Sequence, residues 1–193
     1  MKGTLKLGAE YQLFDADRDT MLSRWVNGTQ AIDSFCFDFG ITFQTFWETF
    51  ENHKGSRASA KIMLPWFVKE VTPDSRRPQV YRFGLETSDL SGNVMALLEA
   101  QALSVLAHWE EPITSIKIET SDAHQSTSWF QLWANVLGVP IHCGEEQRVY
   151  CSDLLLHQRY KDLKDVVLAC EAHVLSNGPS PDRLRTSFSQ RWR

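Results

Sequence analysis

The sequence lacks the features that mark several common classes of protein. No apolar run approaches the ~20 residues that a membrane-spanning helix needs, and the first six residues have no apolar core of the kind found in signal peptides. The formal net charge of −4 gives no overall electrostatic reason to bind nucleic acid or an anionic membrane. We therefore expect a cytoplasmic protein without a nucleic-acid or membrane partner.

Cysteine is scarce, and the four cysteines contain no C-x-x-C pair, so they are most simply reduced, buried thiols. His142, Cys143, Cys151 and His157 carry metal-ligand atoms, but their spacing matches no established zinc pattern. Cys143 or Cys151 could be drawn with His124 as a nucleophile and its base, yet nothing in the sequence supplies a group that would orient the pair. We predict no metal site and no catalytic residue in this chain.

What is present is the composition of an ordinary globular domain. Of 193 residues, 42% are apolar and 23% are charged, and a chain of this length buries roughly 70% of its unfolded surface. Short segments between Leu5 and Val26, with Asp15–Thr20 as a polar turn between two of them, predict a small β-meander. We expect residues 1–193 to form a single domain.

An aromatic stripe runs from Ile32 to Phe50. Its members recur at i, i+3 and i+4 spacing over five turns, which predicts one helix with Thr29 as its N-cap and Gly40 as a kink. A stripe of this kind usually faces the core, and docking of a partner is the alternative. A second stripe, Leu163–Val174, predicts a C-terminal helix that stops at the Asn-Gly-Pro sequence after it.

The stretch from Asn93 to Ile141 alternates helix and strand patterns. The order is helix (Asn93–His108), strand (Ile113–Ile118), polar turn (Thr120–Ser126), helix (Thr127–Leu137) and a further strand entered through Gly138-Val139-Pro140. A strand-to-helix turn is where α/β proteins often hold a phosphate or a nucleotide. The segment Glu119–His124, however, has no glycine and carries two carboxylates. The order predicts a nucleotide site, whereas the residues argue against a working one.

A set of short motifs between residues 60 and 193 carries a family resemblance. The motifs are Leu64-Pro65-Trp66-Phe67, Glu70, Thr72-Pro73, Gly84-Leu85, Ala96-Leu97-Leu98-Glu99, Trp129-Phe130-Gln131, Ala134-Asn135-Val136-Leu137-Gly138-Val139-Pro140 and Tyr160-Lys161-Asp162-Leu163. In this order and at this spacing they resemble the FGGY carbohydrate kinases, which include xylulokinases and glycerol kinases. The resemblance implies an α/β fold of the ribonuclease-H-like (actin-like ATPase) type, a mixed sheet flanked by helices. It extends only to the C-terminal of the family's two lobes.

In that family ATP, with Mg, and the sugar meet between the two lobes, so the resemblance implies an N-terminal kinase lobe as a partner. The sugar hydroxyl needs a general base as it attacks the γ-phosphoryl group, and the family's aspartate base lies before the C-terminal lobe. Gly3-Thr4 resembles the Gly-Thr phosphate turn that follows that aspartate. We therefore expect the chain to begin after the base and to be inactive alone.

The same resemblance assigns nucleotide contacts. Counting back from Gly138 puts the family's glycine pair at Ser121 and Asp122, and its later polar position at Ser126. Asp122 would bring a negative charge to the polyphosphate. Two unit charges ~5 Å apart at an effective dielectric near 20 repel by about 3 kcal/mol before screening, and this would weaken ATP binding by about two orders of magnitude. Ser121 and Ser126 could still offer hydroxyl contacts, and Ser126 is also a sound N-cap.

Three interpretations remain open. The chain is the nucleotide-side lobe of a FGGY-type kinase that needs a second lobe, or a degenerate relative that serves as a non-catalytic binding or structural module, or an unrelated α/β domain. A lobe without its partner leaves apolar surface uncovered. Together with the seven tryptophans and the aromatic stripe, this predicts a homodimer or weak oligomer.

Overall fold

The computed structural model describes residues 1–54, 61–110, 112–120, 126–143 and 147–177. The alternation of strands and helices in these ranges confirms the predicted α/β class. The elements are β1 (Lys2–Leu7), β2 (Tyr11–Asp15), β3 (Thr20–Trp25), α1 (Thr29–Phe39), α2 (Phe43–His53), β4 (Ile62–Trp66), β5 (Gln79–Phe83), α3 (Leu90–Ala107), β6 (Ser115–Thr120), α4 (Thr127–Leu137), β7 (Ile141–Cys143), β8 (Gln147–Val149) and α5 (Leu154–Asn177).

Six strands form a mixed sheet in the order β3-β2-β1-β6-β7-β8. β1, β2 and β3 pair antiparallel and form the predicted meander, whereas β1, β6 and β7 run parallel to one another. β8 pairs antiparallel with β7. β4 and β5 form a separate two-stranded sheet in which Pro65 lies opposite Val80, and β4 packs on α3.

The parallel strands β1 and β6 end at the same edge of the sheet, which we call the carboxyl edge. Leu7, the last residue of β1, lies opposite Thr120, the last residue of β6. The β1–β2 turn (residues 8–10) therefore leaves the sheet beside the end of β6 at Thr120. Ligands of α/β sheets bind outside the carboxyl ends of parallel strands, so this edge is the first place to look for a site.

The aromatic stripe forms two helices, α1 and α2, so the prediction of one kinked helix is wrong. Gly40 takes the left-handed conformation (φ 62°), and its N–H bonds to carbonyl oxygens at the end of α1, which terminates the helix. Thr42 then caps α2 by accepting from Thr45 N at 3.0 Å. Thr29 is the first helical residue of α1 and not its cap, since the N-cap position belongs to Gly28.

The stripe faces the core, as the commoner interpretation predicted. Phe35 and Phe46 are fully buried, and Phe50 is nearly so. The aromatic contacts of the stripe extend to α4, because the ring centroid of Trp129 lies 6.0 Å from that of Trp47 on α2. Edge-to-face contacts of this kind are preferred between aromatic rings, and they fix α4 against α2.

α3 is the central helix of the fold. Asp89 caps it by accepting from Gly92 N at 2.8 Å, so the helix starts at Leu90, three residues earlier than predicted. By length and apolar composition alone α3 could span a membrane, but 72% of its residues are buried inside the fold. It packs against α2, α4 and α5, as the core helix of a globular domain does.

Candidate functional site

The start of α4 lies where the sequence predicted a nucleotide turn. Ser126 is the N-cap of α4, and its hydroxyl accepts from Trp129 N at 3.3 Å. Its predicted role as a helix cap is therefore confirmed, and its contact with a nucleotide stays a prediction. Ser121 and Asp122 lie outside the described residues.

Gly3 and Thr4 lie within β1, opposite Asp15 and Phe14. They do not form a turn, so that part of the prediction is wrong. A Cβ on Gly3 would come within 3.3 Å of the Ile113 side chain, so a larger residue here requires Ile113 to shift by a few tenths of an ångström. Whether either residue contacts a nucleotide stays a prediction.

The turn that does reach the carboxyl edge is the β1–β2 turn at residues 8–10, which the sequence analysis missed. It is packed directly against the start of α1. Thr29 N donates to Gly8 O at 2.8 Å, and a Cβ on Gly28 would lie 2.5 Å from Ala9 O. Only glycine permits this approach. The signal that could have found the turn is the Gly-x-x-aromatic sequence between two apolar strand segments.

A cleft of about 600 Å³ opens between α2 and the start of α4, and we call it the α2–α4 cleft. One wall carries the aromatic rings of Phe43 and Trp47, and Ser126 stands at the other side. The volume lies within the range of small-molecule sites, and an apolar wall with a few polar groups is the usual lining of such sites. Among the described residues, the lining consists of Phe43, Gln44, Trp47, Glu48, Glu51, Asn52 and Ser126.

Glu51 brings a carboxylate to the start of α4. Its Oε2 accepts from Lys54 Nζ at 2.9 Å and from Ser128 Oγ at 3.0 Å. Burial acts to raise the pKa of Glu51, but the neighbouring Ser126, Lys54 and Ser128 outweigh it and hold the pKa below its usual value. Glu51 is therefore a carboxylate at neutral pH, at the end of the helix where an anion would otherwise bind.

Two polar atoms of the cleft residues lack a hydrogen-bond partner within the described part of the chain. They are Glu51 Oε1 and Trp47 Nε1, and both atoms are buried. An unpaired buried acceptor and donor are costly.

A second cleft, of about 480 Å³, lies between α4 and α5, and Lys54 and Ser128 are part of its lining. Its polar groups bond to one another. Gln131 Nε2 donates to Asn135 Oδ1 at 2.9 Å, and Ser152 N donates to the same oxygen at 3.0 Å. At its floor the buried Glu99 accepts from the Tyr160 hydroxyl at 2.9 Å. These contacts join α3, α4 and α5, which is a structural role.

The thiols of Cys143 and Cys170 are not activated by their surroundings. Burial raises the pKa of Cys143 to about 11 and is the larger of two causes that raise the pKa of Cys170 to about 12, the charge of Glu171 being the other. Thiols of this kind are poor nucleophiles. His124 lies outside the described residues. Within the described ranges no group of three or more His, Cys, Asp or Glu side chains could hold a metal ion.

No protein-family model matches the chain, and no curated protein matches it. Solved structures of sugar kinases do match. A ligand-bound xylulose kinase from Lactobacillus acidophilus superposes with a TM-score of 0.73 at 13% identity, covering 91% of this chain and 48% of that one. A xylulose kinase from Rhodospirillum rubrum superposes with a TM-score of 0.68 at 14% identity, covering 90% of this chain and 47% of that one. A Plasmodium falciparum glycerol kinase with ADP superposes with a TM-score of 0.56 at 12% identity, covering 96% of this chain and 41% of that one.

These likenesses establish the fold, which is the actin-like ATPase fold of the sugar kinases, as the sequence resemblance predicted. The chain spans about half the length of the solved kinases that it matches. This is the share expected of one lobe of a two-lobed kinase, in agreement with the predicted resemblance to the C-terminal half.

Proposed function

We propose that the chain is the C-terminal, nucleotide-side lobe of a FGGY-type carbohydrate kinase, a phosphotransferase that uses ATP and Mg on a sugar, and that it is inactive alone. The observation that carries the proposal is the match of about nine-tenths of this chain to about half of each of two xylulose kinases. Activity would require an N-terminal lobe to supply the general base and the sugar contacts.

The base end of a nucleotide fits the described residues. The α2–α4 cleft has the volume and the aromatic wall for a purine. The β1–β2 turn and Ser126 would face the phosphates, with Ser121, Asp122, Gly3 and Thr4 as the further contacts that the sequence assigns.

The phosphate end fits poorly. Glu51 already places a carboxylate beside Ser126, and Asp122 would add a second one. Each disfavours a polyphosphate by charge repulsion, and bound Mg would offset only part of this. We therefore derive no phosphoryl-transfer step through ATP in this chain.

The poor fit favours a second candidate function, a non-catalytic binding or structural module derived from such a kinase. In this candidate the α2–α4 cleft binds a base or nucleoside weakly or not at all, and the fold is used for contact with a partner. The observation in its favour is the Glu51 carboxylate at the start of α4.

Calorimetric titration with Mg-ATP and Mg-ADP separates the two candidates, using the unaltered chain and Asp122→Gly. Sub-millimolar binding by the unaltered chain supports a working nucleotide lobe. Binding by Asp122→Gly alone supports a kinase-derived lobe in which the site is closed by charge. If neither protein binds, the nucleotide assignment is wrong and only the fold remains.

Three further proposals concern the setting of the chain. We propose that residues 1–193 act as one domain, that the partner is either an N-terminal kinase lobe or a second copy of this chain, and that the protein is cytoplasmic. The half-length match supports the first kind of partner. Co-purification with an N-terminal lobe would support it, whereas self-association measured by light scattering would favour the second copy.

A further inference from the structure

Glu70 is a buried carboxylate, 5% exposed, on the segment between β4 and β5. Its Oε1 accepts from Val26 N at 2.6 Å and from Val71 N at 2.8 Å. Its Oε2 accepts from Asn27 N at 3.1 Å and from Asn27 Nδ2 at 2.9 Å. A buried charge is tolerated only when it is hydrogen-bonded, and these four N–H groups fulfil that condition.

The segment that carries Glu70 is held independently of these bonds. Glu70 and Ser75 exchange two backbone hydrogen bonds, each of 3.0 Å. Asn27 adds a second connection, because its Oδ1 accepts from Val68 N at 3.0 Å and its Nδ2 donates to Val68 O at 3.1 Å. The carboxylate is thus a fixed point to which residues 26–29 are attached.

The other side of residues 26–29 contacts the β1–β2 turn. Thr29 N donates to Gly8 O, and Gly28 lies against Ala9 O. From α3 the buried Gln101 donates through Nε2 to Gly28 O at 2.9 Å and accepts from the Tyr11 hydroxyl at 3.1 Å. Residues 26–29 therefore lie between the Glu70 carboxylate and the turn.

From these contacts we propose that Glu70 is a positioning residue, whose carboxylate holds residues 26–29 and through them the β1–β2 turn at the carboxyl edge. It touches no ligand itself. The inference rests on the proposed function only in that the turn lies at the carboxyl edge, where the phosphates of the proposed nucleotide are placed. The loss of one acceptor oxygen would free part of residues 26–29, and Gly8 O would lose its fixed donor.

Hydrogen exchange of the backbone amides tests the proposal without any ligand. In Glu70→Gln one carboxylate oxygen becomes an NH₂ group that cannot accept, so the Thr29 amide and the residue 8–14 segment should exchange about tenfold faster or more. Glu171→Gln is the matched control. It also removes a buried carboxylate, 3% exposed, but one that bonds to His108 at 3.0 Å, and it should leave the turn unchanged.

Unchanged exchange at Thr29 and residues 8–14 in Glu70→Gln overturns the proposal. So does faster exchange of the same size throughout the sheet, including β6, because that is general destabilisation. If Glu70→Gln does not fold, Asn27→Ala replaces it, since it removes the side-chain bonds to Glu70 and Val68 and should show the same local change. Should it show none, the proposal is overturned.

Mg-ADP titration adds a separate result. If the unaltered chain binds, Glu70→Gln should bind at least several-fold more weakly and Glu171→Gln equally well, and equal affinity in all three overturns the positioning role. If the unaltered chain does not bind, the proposed nucleotide site fails. The exchange result then decides by itself whether Glu70 positions the turn.

Discussion

The Glu51 carboxylate lies beside the first turn of α4, where the helix dipole and the free N–H groups attract negative charge. Lys54 and Ser128 donate to it and hold it there. A carboxylate in this position opposes the binding of another anion at the start of α4. In the proposed nucleotide site, the polyphosphate would have to displace Glu51 or bring a cation with it.

The pH dependence of folding should show this arrangement. The pKa of Glu51 in the folded protein lies below its usual value of 4.5, so its stabilising contribution is complete above that value and is lost as the pH falls through the lowered pKa. We expect the free energy of unfolding, measured with urea between pH 7 and 3, to fall less steeply in Glu51→Gln than in the unaltered chain.

Glu48→Gln is the control for this experiment, because it removes a carboxylate one turn earlier on the same helix. It should retain the steep acidic fall of the unaltered chain. Parallel curves for Glu51→Gln and the unaltered chain would contradict the assigned role of Glu51.

Some of the site residues could be predicted from the sequence and others could not. Ser126 could, because an N-cap is a local pattern of a hydroxyl residue before an apolar helix. Glu51 could not, since its contact with Ser128 joins residues 77 positions apart. The β1–β2 turn was missed because Gly3-Thr4 matched a two-residue motif, and only the strand register shows that those residues lie inside β1.

At the scale of elements, two helices end at glycines with nearly the same backbone. Gly40 ends α1 with φ 62°, and Gly138 ends α4 with φ 69°. No described atom lies within 4 Å of a Cβ added at Gly40, whereas one at Gly138 would lie 2.2 Å from the ring of His157. Alanine substitutions at the two glycines therefore separate the energetic cost of backbone strain from that of steric overlap.

We expect Gly40→Ala to lower the free energy of unfolding by about 1 kcal/mol, the cost of the left-handed conformation for alanine. Gly138→Ala should cost about 2 kcal/mol or more, because His157 must also move from Val136 O, with which it makes a 3.1 Å contact. Urea denaturation of both variants checks the difference. Equal losses would contradict the close packing of α4 on α5.

The helix boundaries agree with the sequence-based prediction where the capping residues are recognisable from the adjacent sequence. α4 spans Thr127–Leu137 as predicted, because Ser126 and Gly138 mark its ends, and α5 ends at Asn177 as predicted. The prediction of one helix over α1 and α2 was wrong because the i, i+3, i+4 spacing of apolar residues continues unchanged across Gly40. Periodicity reports which face is buried, and a single glycine in the left-handed conformation decides whether the helix continues.

At the scale of the whole molecule, the fold is defined more firmly than the activity. Ordered motifs over residues 60–193 predicted the sugar-kinase fold, and the structural matches confirm it at identities of 12–14%. At such identities the side chains of a site have diverged, so the motifs preserve what folding requires. The Glu51 carboxylate beside α4 is the part that the family resemblance did not anticipate.

The aromatic stripe is a weak source of the predicted self-association, because its residues are buried or half-buried. The exposed apolar residues include Leu154 and Leu155, 77% and 78% exposed, at the start of α5, with Tyr150 nearby in sequence. We expect the double variant Leu154→Ser/Leu155→Ser to lower the average mass measured by light scattering at high concentration. Phe37→Ser, on α1, is the control and should leave the mass unchanged. A monomer in all three proteins would contradict the prediction.

We propose that the carboxyl edge carries a nucleotide site, with the base in the α2–α4 cleft and the phosphates opposed by the carboxylates of Glu51 and Asp122. The most direct test is calorimetric titration of adenosine and of Mg-ADP into the unaltered chain and into Asp122→Gly/Glu51→Gln. We expect adenosine to bind both proteins equally, and Mg-ADP to bind the double variant about a hundredfold more tightly than the unaltered chain. Equal Mg-ADP affinity in the two proteins, or no adenosine binding by either, would contradict the account.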